Sequence, residues 1–154
     1  MFKRSIVMFG LLLLVLTGCT QARQESIEKK LELKIKLTML EPGKVSISAG
    51  MHNPGRREYL GNADFEGHLA IKDEAGNLIN DGKVYGFSKL AAGESSFPFT
   101  FEMNVEPGAY TVQFSALDKT AAEMQFEIVE KDGVLYLNAP YEYIDPFTMY
   151  TNAS

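Results

Sequence analysis

Between Phe97 and Leu117 the chain alternates apolar and polar residues one by one, broken only at Glu106-Pro107-Gly108. Phe97, Phe99, Phe101, Met103 and Val105 fall on one parity, and Tyr110, Val112, Phe114 and Ala116 on the parity of a second run. A period of two is that of a half-buried strand, because successive side chains point to opposite faces of a sheet. These nine residues, five of them aromatic, predict a central pair of strands forming the thickest apolar slab of the fold. Shorter alternating runs on both sides have to pack on it.

The first residues follow a different logic. Lys3 and Arg4 precede an apolar stretch of eleven residues, Ile6 to Leu16, too short for a permanent membrane span. Leu16-Thr17-Gly18-Cys19 comes next and resembles the lipobox of bacterial lipoproteins. That resemblance implies removal of residues 1–18 as a signal peptide, lipidation of Cys19, and a membrane-anchored, extracytoplasmic location at the cell surface or in the periplasm of a bacterium. Cys19 is the only cysteine, so no intrachain disulfide can form and the core alone must hold the fold. Without residues 1–18 the chain has 13 basic and 20 acidic residues, a net charge of −7 with His neutral. Such a surface gives nucleic acid no electrostatic footprint and is repelled by anionic headgroups, so attachment to the membrane rests on the lipid.

Residues 19–30 read as the lipidated cysteine and a polar tether. Thr20 to Lys30 spans at most about 36 to 40 Å when fully extended. Alternation then starts at Leu31, and Leu31 to Met39 and Val45 to Met51 flank Glu41-Pro42-Gly43 as a hairpin. His52 to Ala63 is a long loop containing Asn53-Pro54-Gly55, Arg56, Arg57 and Tyr59. A third strand runs through Phe65, Gly67, Leu69 and Ile71 to a turn at Asp73–Asn77, and one or two edge strands fit Leu78 to Phe87. Beyond the central pair, Met124, Phe126 and Ile128 alternate, and Asp132-Gly133 joins that strand to Val134–Leu137 as a two-residue hairpin. Seven to nine short strands with regularly spaced turns predict an all-β, antiparallel two-sheet sandwich over residues 31–137, followed by an aromatic C-terminal tail, 138–154. Pro98 marks an edge strand or a bulge, since it cannot donate to a ladder.

Asn53-Pro54-Gly55, Asp73 with Gly76, Leu90 with Gly93-Glu94, the phenylalanine run, and Pro107-Gly108 before Tyr110 and Val112 resemble immunoglobulin-like domains of bacterial extracytoplasmic proteins. That group includes uncharacterised lipoproteins and the Bacillus intracellular proteinase inhibitor family. The resemblance covers about Leu31 to Val129 and implies an immunoglobulin-like fold. It leaves a proteinase-inhibitor-like module at the cell surface as an alternative function.

Catalytic signatures do not stand out: the acidic residues fall singly on outward positions, and the sequence contains no G-x-S-x-G, H-E-x-x-H or glycine-rich phosphate loop. No enzyme activity and no cofactor are expected. Seven methionines and two histidines raise a second alternative, copper handling. However, Met39, Met51 and Met103 fall on inward positions, and His52 and His68 lie on or near outward positions of strands expected in different sheets. The expected function is that of a binding or accessory lipoprotein acting through contacts with a protein partner. Arg56, Arg57 and Tyr59 on the long loop, and Tyr141, Tyr143, Phe147 and Tyr150 in the tail, are the candidate contact residues, because arginine and tyrosine are enriched in binding hot spots.

Overall fold

The computed structural model describes residues 30–60, 66–85, 89–117, 119 and 121–140. Cys19, the tether up to residue 29, and the tail from 141 onward, with Tyr141, Tyr143, Phe147 and Tyr150, lie outside them. Among the described residues there are eight strands: β1 (Glu32–Glu41), β2 (Lys44–His52), β3 (Glu66–Asp73), β4 (Leu78–Tyr85), β5 (Ser95–Asn104), β6 (Gly108–Ala116), β7 (Ala122–Lys131) and β8 (Val134–Asn138). They form two antiparallel sheets, ordered β1-β2-β5 and β4-β3-β6-β7-β8. This is an immunoglobulin-like sandwich.

The alternating residues supply the core. Ile35, Leu37 and Met39 of β1, Val45, Ile47, Ala49 and Met51 of β2, and Leu69 and Ile71 of β3 are buried, as are Val112 and Phe114 of β6 and Met124, Phe126 and Ile128 of β7. Each fully buried large aliphatic or aromatic side chain contributes about 1.5 to 3 kcal/mol of transfer free energy. The hairpins also close where the turn residues fall. Glu41 stands opposite Lys44 around Pro42-Gly43, with Gly43 at φ +87°, the backbone region that suits glycine. Lys131 stands opposite Val134 around Asp132-Gly133, both at positive φ, as a type I′ hairpin requires.

The central pair is where sequence and structure part. β5 and β6 are consecutive but belong to different sheets: β5 is the edge of the three-stranded sheet, while β6 sits in the middle of the other. The chain crosses at Glu106-Pro107-Gly108, and the crossing is tied by Tyr110. Its hydroxyl donates to the Glu106 carbonyl at 3.0 Å and accepts from the Glu106 N–H at 3.1 Å. That is the tyrosine corner found where immunoglobulin-like chains change sheets.

The phenylalanine run is also less buried than its period suggests. Phe99 and Phe101 are half-buried against the core. Phe97 is turned to the other face by a bulge: Ala49 pairs with Phe99 but Met51 pairs with Ser96, so the extra residue falls at Pro98 and reverses the parity before it. Ser96 takes the inward register opposite Met51. Phe97 lies on the outer face, with the Lys36 ammonium 5.8 Å from its ring centroid. Gly50 permits this crossing, since a Cβ there would stand 1.9 Å from the Ser96 carbonyl oxygen. Leu78 to Tyr85 forms one edge strand, β4, paired only with β3 among the described residues.

The register defines two ends of the sandwich. At one, β1 begins opposite the end of β2 (Glu32↔His52), which meets the start of β5 (His52↔Ser95). In the second sheet the same role falls to Glu66↔Tyr85 and Gly67↔Ala116. At the other end the tight turns gather: a Cβ on Gly43 would lie 3.5 Å from Leu135, and one on Gly108 would lie 3.6 Å from Glu74.

Candidate functional site

The loop after β2 is fixed from below by Asn53, whose side chain is fully buried. Alternation along β2 already places it inward, two residues past Met51. Its Oδ1 accepts the Gly55 N–H at 3.0 Å, closing an Asx turn over Pro54. Its Nδ2 donates to the carbonyls of Arg57 (2.7 Å), Ala91 (3.1 Å) and Leu90 (3.2 Å). On the main chain, the Asn53 N–H donates to Glu94 O at 2.9 Å and the Gly93 N–H to Asn53 O at 2.8 Å. One buried amide thus holds two connections together, the loop before β3 and the loop before β5. A buried polar group is tolerated only when it is satisfied in this way.

Tyr59 completes the clasp. Its backbone pairs with Leu90 in both directions at 2.8 Å, and its side chain is 2% exposed. This corrects the expectation that Tyr59 is displayed on the loop surface: it is a core residue that anchors the far end of the loop. Glu94 steadies the opposite strap by accepting the Ala91 N–H at 2.6 Å. Lys89 pairs with Glu58 at 3.4 Å across the two connections.

What remains on the surface of this loop is Arg56 and Arg57, both exposed, with Leu60 51% exposed beside the buried Tyr59. Among the described residues no ion pair involves either guanidinium, although the Arg57 carbonyl is held by Asn53. The rigid base therefore presents two fixed-charge forks and an apolar side chain. Such a set can bind carboxylates by paired N–H donors and cover a small apolar spot. The sequence points to the arginines but gives Tyr59 the wrong side and leaves Asn53 as mere turn chemistry.

Nearby, Glu32 at the start of β1 is held below the usual carboxylate range. The Lys34 ammonium hydrogen-bonded to it at 2.9 Å is the main cause, with smaller contributions from the charges of Lys34 and His52. The histidines stand on different sheets and are both engaged. His52 Nδ1 shares a hydrogen bond with Ser95 at 3.0 Å, and His68 Nε2 lies 2.6 Å from Asp81. Among the described residues no group of three or more histidine, cysteine or acidic side chains is placed to hold a metal ion, and no helix is long and apolar enough to cross a membrane. A shallow open groove lies where the described chain ends, lined by Ala109, Gln125, Glu127, Asn138, Ala139 and Pro140.

No family model and no curated protein sequence matches the chain. Among solved structures it is similar to part of a Bacteroides uniformis β-glucuronidase, at 16% identity and a TM-score of 0.34, covering 64% of this chain and 13% of that one. It is likewise similar to part of a Parabacteroides merdae β-glucuronidase, at 13% identity and a TM-score of 0.40, covering 71% of this chain and 16% of that one. The chain thus spans a small fraction of the length of these enzymes, and likeness of this degree says nothing of their activity here.

Proposed function

We propose that the protein is an extracytoplasmic binding or accessory lipoprotein, anchored through Cys19, that works by protein contact and not by catalysis. The observation that supports this most is the clasped loop. Asn53 and Tyr59 fix its base in the core, while Arg56 and Arg57 stand outward on a chain of net charge −7 without its signal segment. A preorganised loop backbone lowers the ordering cost of binding, and the field of its two arginines steers an acidic partner until salt screens it. The aromatic tail is the other candidate contact.

The experiment is crosslinked capture from cells with the Arg56→Ala/Arg57→Ala chain. Its thermal midpoint stays near that of the parent, because neither side chain is in the core, while partner capture falls, most at low ionic strength. Undiminished capture by this variant, together with loss of capture by a chain ended after Pro140, which keeps β8 whole, transfers the contact to the tail. A Cys19→Ala chain that has lost residues 1–18 and still resists salt washing from membranes refutes the anchor.

A further inference from the structure

We infer that the end of the sandwich bearing Arg56, Arg57 and Leu60 faces the membrane, and that the partner presents an acidic protein surface close to that membrane. The inference rests on the anchored reading above. β1 enters the fold opposite the last residue of β2, Glu32 against His52, and the arginine loop leaves from the very next residue, Asn53. The chain therefore comes in from Cys19 at the same end as the loop. Eleven residues, Thr20 to Lys30, separate the two, a reach of at most about 36 to 40 Å. A ten-residue strand such as β1 is about 33 Å long, so the opposite end has a reach about twice as great, and the anchor restrains the near end the more closely.

Charge favours the same orientation. The far end gathers Glu41, Asp73, Glu74, Glu106, Glu130 and Asp132 on its turns, which an anionic leaflet repels. The near end presents the exposed arginines beside Glu58, Glu66 and Glu94. Among the described residues the six acids of the far end are offset only by Lys44, Lys72 and Lys131, so the far end is the more acidic of the two. Two arginines gain only about 1 kcal/mol each from an anionic lipid surface, and the chain they belong to is acidic overall. Paired donors on a fixed base match the carboxylates of a protein better than a fluid headgroup layer. A soluble partner would meet the far end first, whereas one in the same membrane, or anchored to it, meets the loop.

The test uses the lipidated full chain in phosphatidylcholine vesicles containing dansyl-phosphatidylethanolamine as an energy acceptor at the headgroups. The chain has no tryptophan, so Leu60→Trp and Ala75→Trp each give a single donor, at the near and far ends. Transfer several-fold stronger from Leu60→Trp is expected; equal transfer, or stronger transfer from Ala75→Trp, overturns the orientation. Acyl chains on Cys19 are read in the same sample by mass spectrometry, and their absence refutes the anchored reading separately from the orientation. A lipid-linked oligoglutamate peptide is then added to the vesicles as the acidic surface. The Leu60→Trp signal should respond to it, with a half-point raised about fivefold or more by Arg56→Ala/Arg57→Ala, the equivalent of about 1 kcal/mol. A response unchanged by the double substitution overturns the acidic partner. The same arginine-dependent response to peptide-free phosphatidylglycerol vesicles makes the lipid surface the occupant and overturns the protein one.

Discussion

Replacing Asn53 tests whether the loop is held from the core as described. In Asn53→Ala the carbonyls of Arg57, Leu90 and Ala91 lose their donor and the Gly55 N–H loses its acceptor, all around a side chain with no exposed surface. The amide has two hydrogens for three acceptors, so one hydrogen is shared, and three bonds is the fair count with the one accepted from Gly55. At about 1 kcal/mol net each the loss is about 3 kcal/mol, a large part of the roughly 5 to 15 kcal/mol that holds a domain. Asn53→Asp is the sharper variant, because it keeps the shape and the acceptor while removing both donors. An ionised carboxylate would then face three carbonyl oxygens without a counter-charge, so its pKa rises and the variant folds best in acid, when the carboxyl carries a proton it can donate. Urea unfolding read by tyrosine fluorescence at several pH values is the assay. The expectation is a midpoint well below that of the parent with the slope unchanged, and for Asn53→Asp a midpoint that falls further as pH rises. A loss under about 0.5 kcal/mol, the range of an ordinary surface change, with no pH trend, would refute the clasp.

Phe114→Ala, at a fully buried position of β6, should cost about 3 to 5 kcal/mol in the same unfolding assay. Gly50→Ala should fail to form the native β2–β5 pairing, since its Cβ would fall 1.9 Å from the Ser96 oxygen; native-like amide exchange along β5 in this variant would contradict the bulge. The Asp73 carboxyl is held below its usual range, first by the Asn77 side-chain amide at 2.8 Å and then by the Asn77 N–H at 2.7 Å. Its folded pKa being the lower one, the stabilisation is present above the unfolded carboxyl value and is lost as pH falls through the folded one. Protection of the Asn77 amide, taken relative to its intrinsic exchange rate at each pH, should therefore fall only on acidification below the ordinary aspartate range, and Asp73→Ala should abolish that dependence.

Where one strand's face was the question, the sequence answered it. The parity of Leu31 to Met51, of Tyr110 to Ala116 and of Met124 to Ile128 matches the buried faces of β1, β2, β6 and β7, because one face of each of these strands lies on the core. Neighbourhood was another matter. Alternation says which way a side chain points and nothing about which strand lies alongside, so β5 and β6 read as a pair although the tyrosine corner sends them to different sheets. Phe97 shows the second limit. Pro98 signals an edge or a bulge, and β5 has both, but only the register reveals that the bulge turns Phe97 outward over Gly50. At the candidate site the exposed arginines were legible from charge alone. Tyr59 was not, since its burial depends on Leu90, distant in sequence and brought near by the second connection.

The two ends of the sandwich are built by different means, and this bears on where a partner can bind. At the far end β1–β2 and β7–β8 are joined by two-residue turns, with Gly43 and Gly133 at positive φ. Such turns fix register but offer little side-chain surface. The near end uses longer connections, 53–65, 86–94 and 117–121, and replaces turn chemistry with a buried amide and a buried tyrosine as the fixed points. Together they hold about the 20 to 30 residues that a standard interface draws from each partner. On the proposed function, anchoring the loop from the core also separates shape from contact: Asn53 and Tyr59 specify the shape, so exchanging Arg56 and Arg57 should leave the fold intact. Stability and capture should therefore part company along this loop, with substitutions at 53 and 59 moving the unfolding midpoint and substitutions at 56 and 57 moving only the affinity. A loop in which all four positions moved both quantities together would have no such division, and the arginines would then be part of the fold and not of its contact surface.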